Sequence, residues 1–434
     1  DAIPPADTVP WPIVHDIPIA LVTGTNGKST TVRLVAAIAR AAGRVAGVST
    51  TDWVRVGDDV LDEGDWSGPG GARLALRDPR TEIAILECAR GGMLRRGLAV
   101  TRSDVAAITN VAADHLGDFG IGTVAELADV KRIVARGAGR LVLNADDAVL
   151  VAGAEAAEGA GGAGGAVRAP GSAPTTWFSL DPQNDVVAAS LARGGRAVVL
   201  DGGTLVLIDA GGQATGGVAR TAVATVDEVP IAFGGAARHN VANALCAIGV
   251  ADALGLPVGA MREGIMAFRS THEDNPGRLN VFEIGGCTVV VDYAHNPHGM
   301  LALADVVNQL PGGRRIVLIG QAGDRSDDDL RDLAAATLTM APTIVLVKEL
   351  AALRRGRPLG EVPRVLVDAL GVLGVPDDAI IRVDDEVDGT RRALALARAG
   401  DVIILPIHKQ RDAVVAHLRA LSEMGWRAGE AQPD

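Results

Sequence analysis

Eight consecutive residues, Thr23-Gly24-Thr25-Asn26-Gly27-Lys28-Ser29-Thr30, combine glycines, a cation and hydroxyls at a spacing that suits phosphate binding. The apolar run at 17–22 before them reads as a strand, and TVRLVAAIARAAG after them has helical spacing. Strand, glycine-rich turn and helix N-terminus together aim backbone N–H groups at an anion, and the helix dipole favours negative charge there. Lys28 would neutralise the β and γ phosphates of a nucleotide, and the Ser29 hydroxyl would hold magnesium. The longer form of such a loop carries a glycine five positions before Gly27; Val22 stands there, so this is a shortened variant. A glycine turn that only caps a helix is the plainer alternative, and the flanking strand and helix weigh against it. ATP is the expected ligand.

The elements around this loop read as alternating strands and helices. IPIALVTG (17–24), EIAILEC (82–88), DVAAITNV (104–111) and GRLVLNADD (139–147) are short apolar runs bounded by polar turns, the pattern of buried parallel strands. Residues 151–171 are mostly Ala and Gly, which predicts a flexible surface loop, and 202–225 alternate with Gly-Gly turns, which predicts a small antiparallel appendage. A Pro-Gly break after THEDN places a domain boundary near Asn275. Beyond it RRIVLIG, TIVLVKEL, AIIRVDD and DVIILPI predict a second α/β layer of Rossmann type. The expected fold is α/β throughout: an N-terminal arm (1–15), a P-loop ATP-binding domain (16–275) with a mostly parallel sheet and its appendage, and a C-terminal Rossmann-like domain (276–434).

Composition narrows the classes of function. The 434 residues are 48% hydrophobic and 22% charged, enough for large cores. A net charge of -12 repels nucleic-acid phosphates and anionic membranes, so neither is an expected partner. Cys88, Cys246 and Cys287 form no C-x-x-C pair, which removes a disulfide framework and a cysteine zinc site. The chain begins at Asp1 without the basic start and apolar stretch of a signal peptide, and its apolar runs are too short to span a bilayer; a cytoplasmic location is expected.

The loop TGTNGKST resembles that of the Mur ligase superfamily, and later stretches resemble it in the same order: Glu87 at a strand end, TNVAADHLG with His115, ELADVKRIV with Lys131, and GGAARHNVANALCAIG with His239, Asn240 and Asn243. Pro276-Gly277-Arg278 and VDYAHNP look like the start of the superfamily's C-terminal domain. Within the superfamily, GDWSGPGGARLAL, ECARGGMLRRGL, IGQAGDRSDDDLRDLA and LRRGRPLGEVP are similar to the Mur-ligase-like half of the cyanophycin synthetases. The ATP-grasp half of those enzymes has no counterpart here, nor has the UDP-binding domain of the cell-wall ligases.

The resemblance implies an ATP-dependent ligase that phosphorylates a carboxylate and lets an amine attack the acyl phosphate. Glu87 would complete a first magnesium site with Ser29. His115 and Lys131 would serve a second, the lysine as an anionic carbamate because an unmodified ammonium cannot bind a cation. Gly24 to Thr30 would hold the phosphates, Asn243 the adenine, Asp292 the ribose and Arg278 the γ phosphate, with closure of the domains completing the site. For Asn240 a helix N-cap is the alternative.

Arg90, Arg95 and Arg96 suit a carboxylate-bearing acceptor, with Thr50, Thr51 and Asp52 lining the same pocket. His295, Asp324 and Arg325, with Arg354, Arg355 and Arg357, are candidates for the incoming amino acid; solvated surface charge is the alternative for each arginine. Lys348-Glu349-Leu350 stands where diaminopimelate-adding enzymes carry Asp-Asn-Pro-Arg. Competing readings are a folylpolyglutamate-synthase-like ligase, whose pattern ECARGGMLRRGL does not fit, and a nucleotide-binding subunit working with a separate ATP-grasp ligase. The oligomeric state stays open, a homodimer among the options.

Overall fold

The computed structural model describes residues 17–114, 116–159, 173–211 and 217–432. The expected arm (1–15), residue His115 and positions 160–172 lie outside them. The chain forms two compact units. One takes in the chain up to Val111, Leu116–Glu228 and Asn240–Ala267; the other takes in 112–114, Val229–His239 and the chain from Phe268.

The first unit is built on β1 (Ile19–Thr23), β2 (Ala46–Ser49), β3 (Trp53–Val56), β4 (Asp59–Glu63), β5 (Ile83–Glu87), β6 (Ser103–Ile108), β7 (Ala138–Asn144), β8 (Thr175–Ser179), β9 (Arg196–Asp201), β10 (Thr204–Asp209) and β11 (Ala219–Thr225). They form one sheet in the order β11-β10-β9-β8-β7-β6-β1-β5-β2-β3-β4. From β2 to β9 across this order every pairing is parallel. All five residues of β1 are buried, as a strand covered on both faces requires.

The expected antiparallel appendage is formed by β9 to β11 as a continuation of the main sheet, and a second antiparallel extension that was not expected, β2-β3-β4, lies at the opposite edge. The sequence hid the latter because β3 is only four residues long and every residue of β4 is exposed, so no apolar face runs through the hairpin. The run expected as a loop from 151 begins inside a helix, Ala148–Gly159. Alanine, the best helix former, outweighs the glycines there.

The second unit is a sheet in the order β12 (Asn280–Ile284), β13 (Cys287–Asp292), β17 (Val402–Pro406), β14 (Arg315–Ile319), β15 (Ile344–Lys348), β16 (Ile380–Val383). Only β12 is antiparallel to its neighbour. Alternation along the strands feeds two cores: Val290, Val317, Val345 and Ile404 enter one, while Val289, Ile316, Leu346 and Ile403 enter the other. A Rossmann-like layer covered on both faces is the result.

In the first unit the helix that follows the phosphate loop, Lys28–Ala41, packs against the helix Val258–Ala267 at Gly264. A Cβ on Gly264 would stand 2.5 Å from the Ile38 Cα, backbone that cannot swing aside. Gly264→Ala is therefore expected to force the helices apart and to cost roughly 1–3 kcal/mol, the range for overpacking. Urea denaturation of the two proteins checks this; an unchanged midpoint would show that the helices separate freely.

Candidate active site

The phosphate loop leaves the C-terminal end of β1, flanked by β5 and β6, with Val22 in register with both Glu87 and Ala107. The loop is fixed from the β6 side. Thr25 N donates to Asn110 O at 2.9 Å, Asn26 N donates to Asn110 Oδ1 at 2.9 Å, and Thr109 Oγ1 and Asn110 Nδ2 both donate to Asn26 O, at 2.6 and 3.0 Å. Two glycines allow this closeness. Gly24 has φ 151° and Gly27 φ 83°, and a Cβ on either would overlap a neighbour, Thr109 Oγ1 or Asn243 Oδ1. Gly27 is the N-cap of the helix that Lys28 begins, and Lys28 Nζ donates to Thr25 O at 2.8 Å. Thr30 is buried in the first helical turn.

Behind the loop lies a buried carboxylate. Glu87 is 1% exposed; its Oε2 accepts from Ser29 Oγ at 2.7 Å and from Thr51 N at 3.3 Å, and its Oε1 accepts from Thr51 Oγ1 at 2.9 Å. Burying a carboxylate without partners is costly, and these donors are neutral, so its charge remains available to a cation. One carboxylate beside a hydroxyl at a phosphate loop is the kind of oxygen donor set that magnesium accepts, with phosphate oxygens and water completing it. The chain's residues thus fit one such ion, held by Ser29 and Glu87. Among the described residues no group of three or more His, Cys, Asp or Glu side chains could hold a metal without other donors.

Lys131 ends the helix Val124–Lys131, is buried, and its Nζ donates to Gly24 O at 2.8 Å. An amine there braces the loop; it fits a cation only after conversion to a carbamate. His115 lies outside the described residues.

The predicted acceptor residues are tied to partners within the chain. Asp52 pairs with Arg33, a buried arginine of the Lys28–Ala41 helix, whose guanidinium also lies 5.2 Å from the Trp53 ring. Thr50 Oγ1 accepts from the backbone N–H groups of Asp52 and Trp53. Arg33 was invisible as a site residue because it reads as an ordinary helix cation; its salt bridge fixes the loop whose Thr51 holds Glu87. Arg90 donates to Asp118 Oδ2 at 2.9 Å and lies, with Arg95, over the exposed Phe119 ring at 5.8 and 5.3 Å. Arg96 ends the same helix, Arg90–Arg96.

Asn243 belongs to the helix Arg238–Ala253, with Nδ2 donating to Asn240 Oδ1 at 3.2 Å. Asn240 is the third residue of that helix and not its N-cap.

The second unit gathers another set. Arg278 stacks over the Tyr293 ring at 4.2 Å, and both Asp292 oxygens accept backbone N–H groups, from Leu279 and Ala294 at 2.7 Å each. His295 Nδ1 donates to the Tyr293 carbonyl at 3.1 Å, which leaves Nε2 facing Asp114 Oδ2 at 3.7 Å. Arg325, only 6% exposed, donates from Nη2 to Asp114 Oδ1 at 2.9 Å, while its buried Nη1 has no partner among the described residues. Asp324 pairs with Arg355, Arg357 pairs with Asp327 and Glu361, and Arg354 turns back to Ala351 O. Of the candidates for the amino acid, His295 and Arg325 share one carboxylate, Asp114, whereas Arg354, Arg355 and Arg357 serve local loop structure.

A P-loop α/β unit with a glycine-bordered phosphate cradle, followed by a Rossmann-like unit, defines the class. Residues 22–163 match the Mur ligase middle domain and 277–406 the Mur ligase glutamate ligase domain, and the chain belongs to the Mur ligase family. Among curated relatives it is 35% identical to the cyanophycin synthetase of Trichormus variabilis, over 93% of this chain and 43% of that protein. It is 37% identical to the cyanophycin synthetase of Crocosphaera subtropica, over 90% of this chain and 42% of that protein. The chain thus spans less than half the length of these relatives. In fold it is similar to E. coli FolC in complex with ADP, with a TM-score of 0.66 at 21% identity, covering 95% of this chain and 91% of that one.

Gly27→Ala is expected to push Asn243 and the loop apart and to weaken ADP binding by at least about tenfold, equivalent to about 1.4 kcal/mol. Calorimetric titration with ADP decides this. A variant that binds as tightly as the parent would remove the cradle from the nucleotide site.

Proposed function

We propose that this chain is an ATP-dependent carboxylate–amine ligase of cyanophycin-synthetase-like type. It would join the carboxylate of an amino acid or short peptide to the amino group of an incoming amino acid. The observation that carries the reading is the buried Glu87 carboxylate hydrogen-bonded to Ser29 directly behind the phosphate loop. In the proposed reaction a carboxylate oxygen of the acceptor attacks the γ phosphorus and ADP leaves. The amine then attacks the acyl carbon, phosphate leaves, and the amine gives up a proton. The barrier is largely charge, so positioned cations and N–H donors are the means of catalysis. Magnesium, when bound, neutralises phosphate oxygens. Lys28 and the loop N–H groups would orient the phosphates, and Ser29 and Glu87 would hold the ion.

On the acceptor side Arg95 and Arg96 would supply positive charge to a substrate rich in carboxylates, with Arg90 keeping the Phe119 loop in place. The Nη1 of Arg325, beside His295 and without a partner among the described residues, supports a site for the carboxylate of the incoming amino acid. The three free, buried cysteines fit a reducing, cytoplasmic setting, and no helix among the described residues is long and apolar enough to cross a membrane.

ADP and phosphate release across a panel of amino acids and dipeptides is the direct test, and the absence of any amine-dependent release would sink the ligase reading. Lys28→Ala is expected to abolish ADP release while leaving the thermal transition in place, because the phosphates its charge meets arrive only with the ligand. Unchanged turnover in that variant would dismiss the phosphate-loop role. A carbamate on Lys131, proposed for a second ion, predicts that Lys131→Ala loses most activity and that acetate partly restores it. Mass spectrometry of the native protein showing no added carbon dioxide, together with no acetate effect, would count against the carbamate.

A further inference from the structure

Lys348 ends β15 with its side chain fully buried. Its stem crosses Gly320, just beyond β14, where a Cβ would stand 3.0 Å from the Lys348 Cε. Its Nζ donates to the carbonyl of Pro406, the last residue of β17, and to Glu386 Oε1 at 2.8 Å. The ammonium therefore joins the C-terminal ends of three adjacent parallel strands to the first residue of the helix Glu386–Leu396.

Glu386 passes this anchoring on. Its carboxylate accepts three consecutive backbone N–H groups just beyond β17, from His408 at 2.6 Å, Lys409 at 2.8 Å and Gln410 at 2.6 Å, and it is 1% exposed. Gln410 answers from its side chain, Oε1 accepting Glu386 N at 3.0 Å. His408 in turn donates from Nε2 to the Ala294 carbonyl at 3.1 Å, and its ring stands edge-on to Tyr293 and His295, with centroids 5.5 and 6.4 Å away. From the other side Gln321, next to Gly320, donates to the His295 carbonyl. Both carbonyls of the Ala294-His295 pair are thus held, that of Ala294 by His408, whose backbone Glu386 fixes, and that of His295 by Gln321, which follows the glycine packed against the Lys348 stem.

We propose that Glu386, held by Lys348, is a positioning residue that sets the 407–410 loop and, through His408, the Tyr293–His295 segment against which the incoming amino acid binds. The inference rests on the ligase reading for the identity of that ligand. Burial works against ionisation of Glu386, but Lys348 and the backbone donors hold its carboxyl down at about 2. Burial, with Lys348 adding to it, holds His408 down at about 3, so its ring is neutral and Nε2 carries the proton given to Ala294. A neutral amide or thioether at 386 could not accept all three N–H groups.

Replacing one charge of the pair would strand the other in the core. The main test is therefore the double variant K348M/E386M, in which neither charge remains, with K348Q/E386Q as the second variant should the first not fold. In either protein, hydrogen exchange of the His408, Lys409 and Gln410 amides should quicken at least tenfold. The KM for the amino acid should rise at least tenfold, while the Kd for ADP changes less than twofold. Gly264→Ala, in the other unit, serves as a control for simple loss of stability and should leave exchange of the 408–410 amides unchanged. Faster exchange with an unchanged KM, or a raised KM with protected amides, would overturn the positioning role. If the parent protein releases no ADP with any amino acid, the ligase reading falls. Exchange at 408–410 then decides the positioning on its own, retained protection in the variants overturning it.

Discussion

The structure turns on the cost of burying Glu87. A carboxylate that is 1% exposed needs donors, and here they come from two separate stretches of chain, Ser29 after β1 and Thr51 after β2, with the strand order setting β5 between them. Parallel pairing places those strand ends at one edge, and the phosphate loop follows from the same edge. Arg33 and Asp52 extend the arrangement outward, since the loop holding Glu87 is itself tied down by a buried ion pair. An anion that is hydrogen-bonded only by neutral groups retains its pull on a cation. That is the physical basis for reading the site as one that neutralises phosphate.

The two units solve the same problem differently. In the first, the edge is kept open by glycine: Gly24 and Gly27 let backbone approach side chains at distances a Cβ would forbid. In the second, Lys348 and Glu386 fill the sheet edge with a charged pair whose hydrogen bonds fasten the neighbouring loops. Such pairs add little to stability over an apolar filling of similar volume, and their worth lies in fixing one arrangement.

Much of this was legible in the residues. TGTNGKST marked a turn between strand and helix through local spacing, and the apolar runs at 17–22, 82–88 and 104–111 announced strands, because both signals are carried by neighbours in the chain. The contacts that could not be read are those between residues far apart. Arg33 looked like any helix arginine, and Lys348 and Glu386 are separated by 38 positions with nothing local to join them. Arg90 and Asp324 looked free for a substrate, yet Asp118 and Arg355 balance them, a pairing that only tertiary structure creates. The helix from Ala148 was hidden by its glycines, which composition weighs as loop and which alanine overrules.

One edge of the large sheet ends in β4, Asp-Val-Leu-Asp-Glu, every residue of it exposed. β4 pairs with β3 on one side, and among the described residues no strand pairs with its other side; a border of that kind presents backbone donors and acceptors on which another chain could grow. Here a copy docking alongside would have to bring its own charges against Asp59, Asp62 and Glu63, on a molecule already at -12. Three acidic side chains on this border strand set like charge against like in any such pairing, a cost that grows with each strand added.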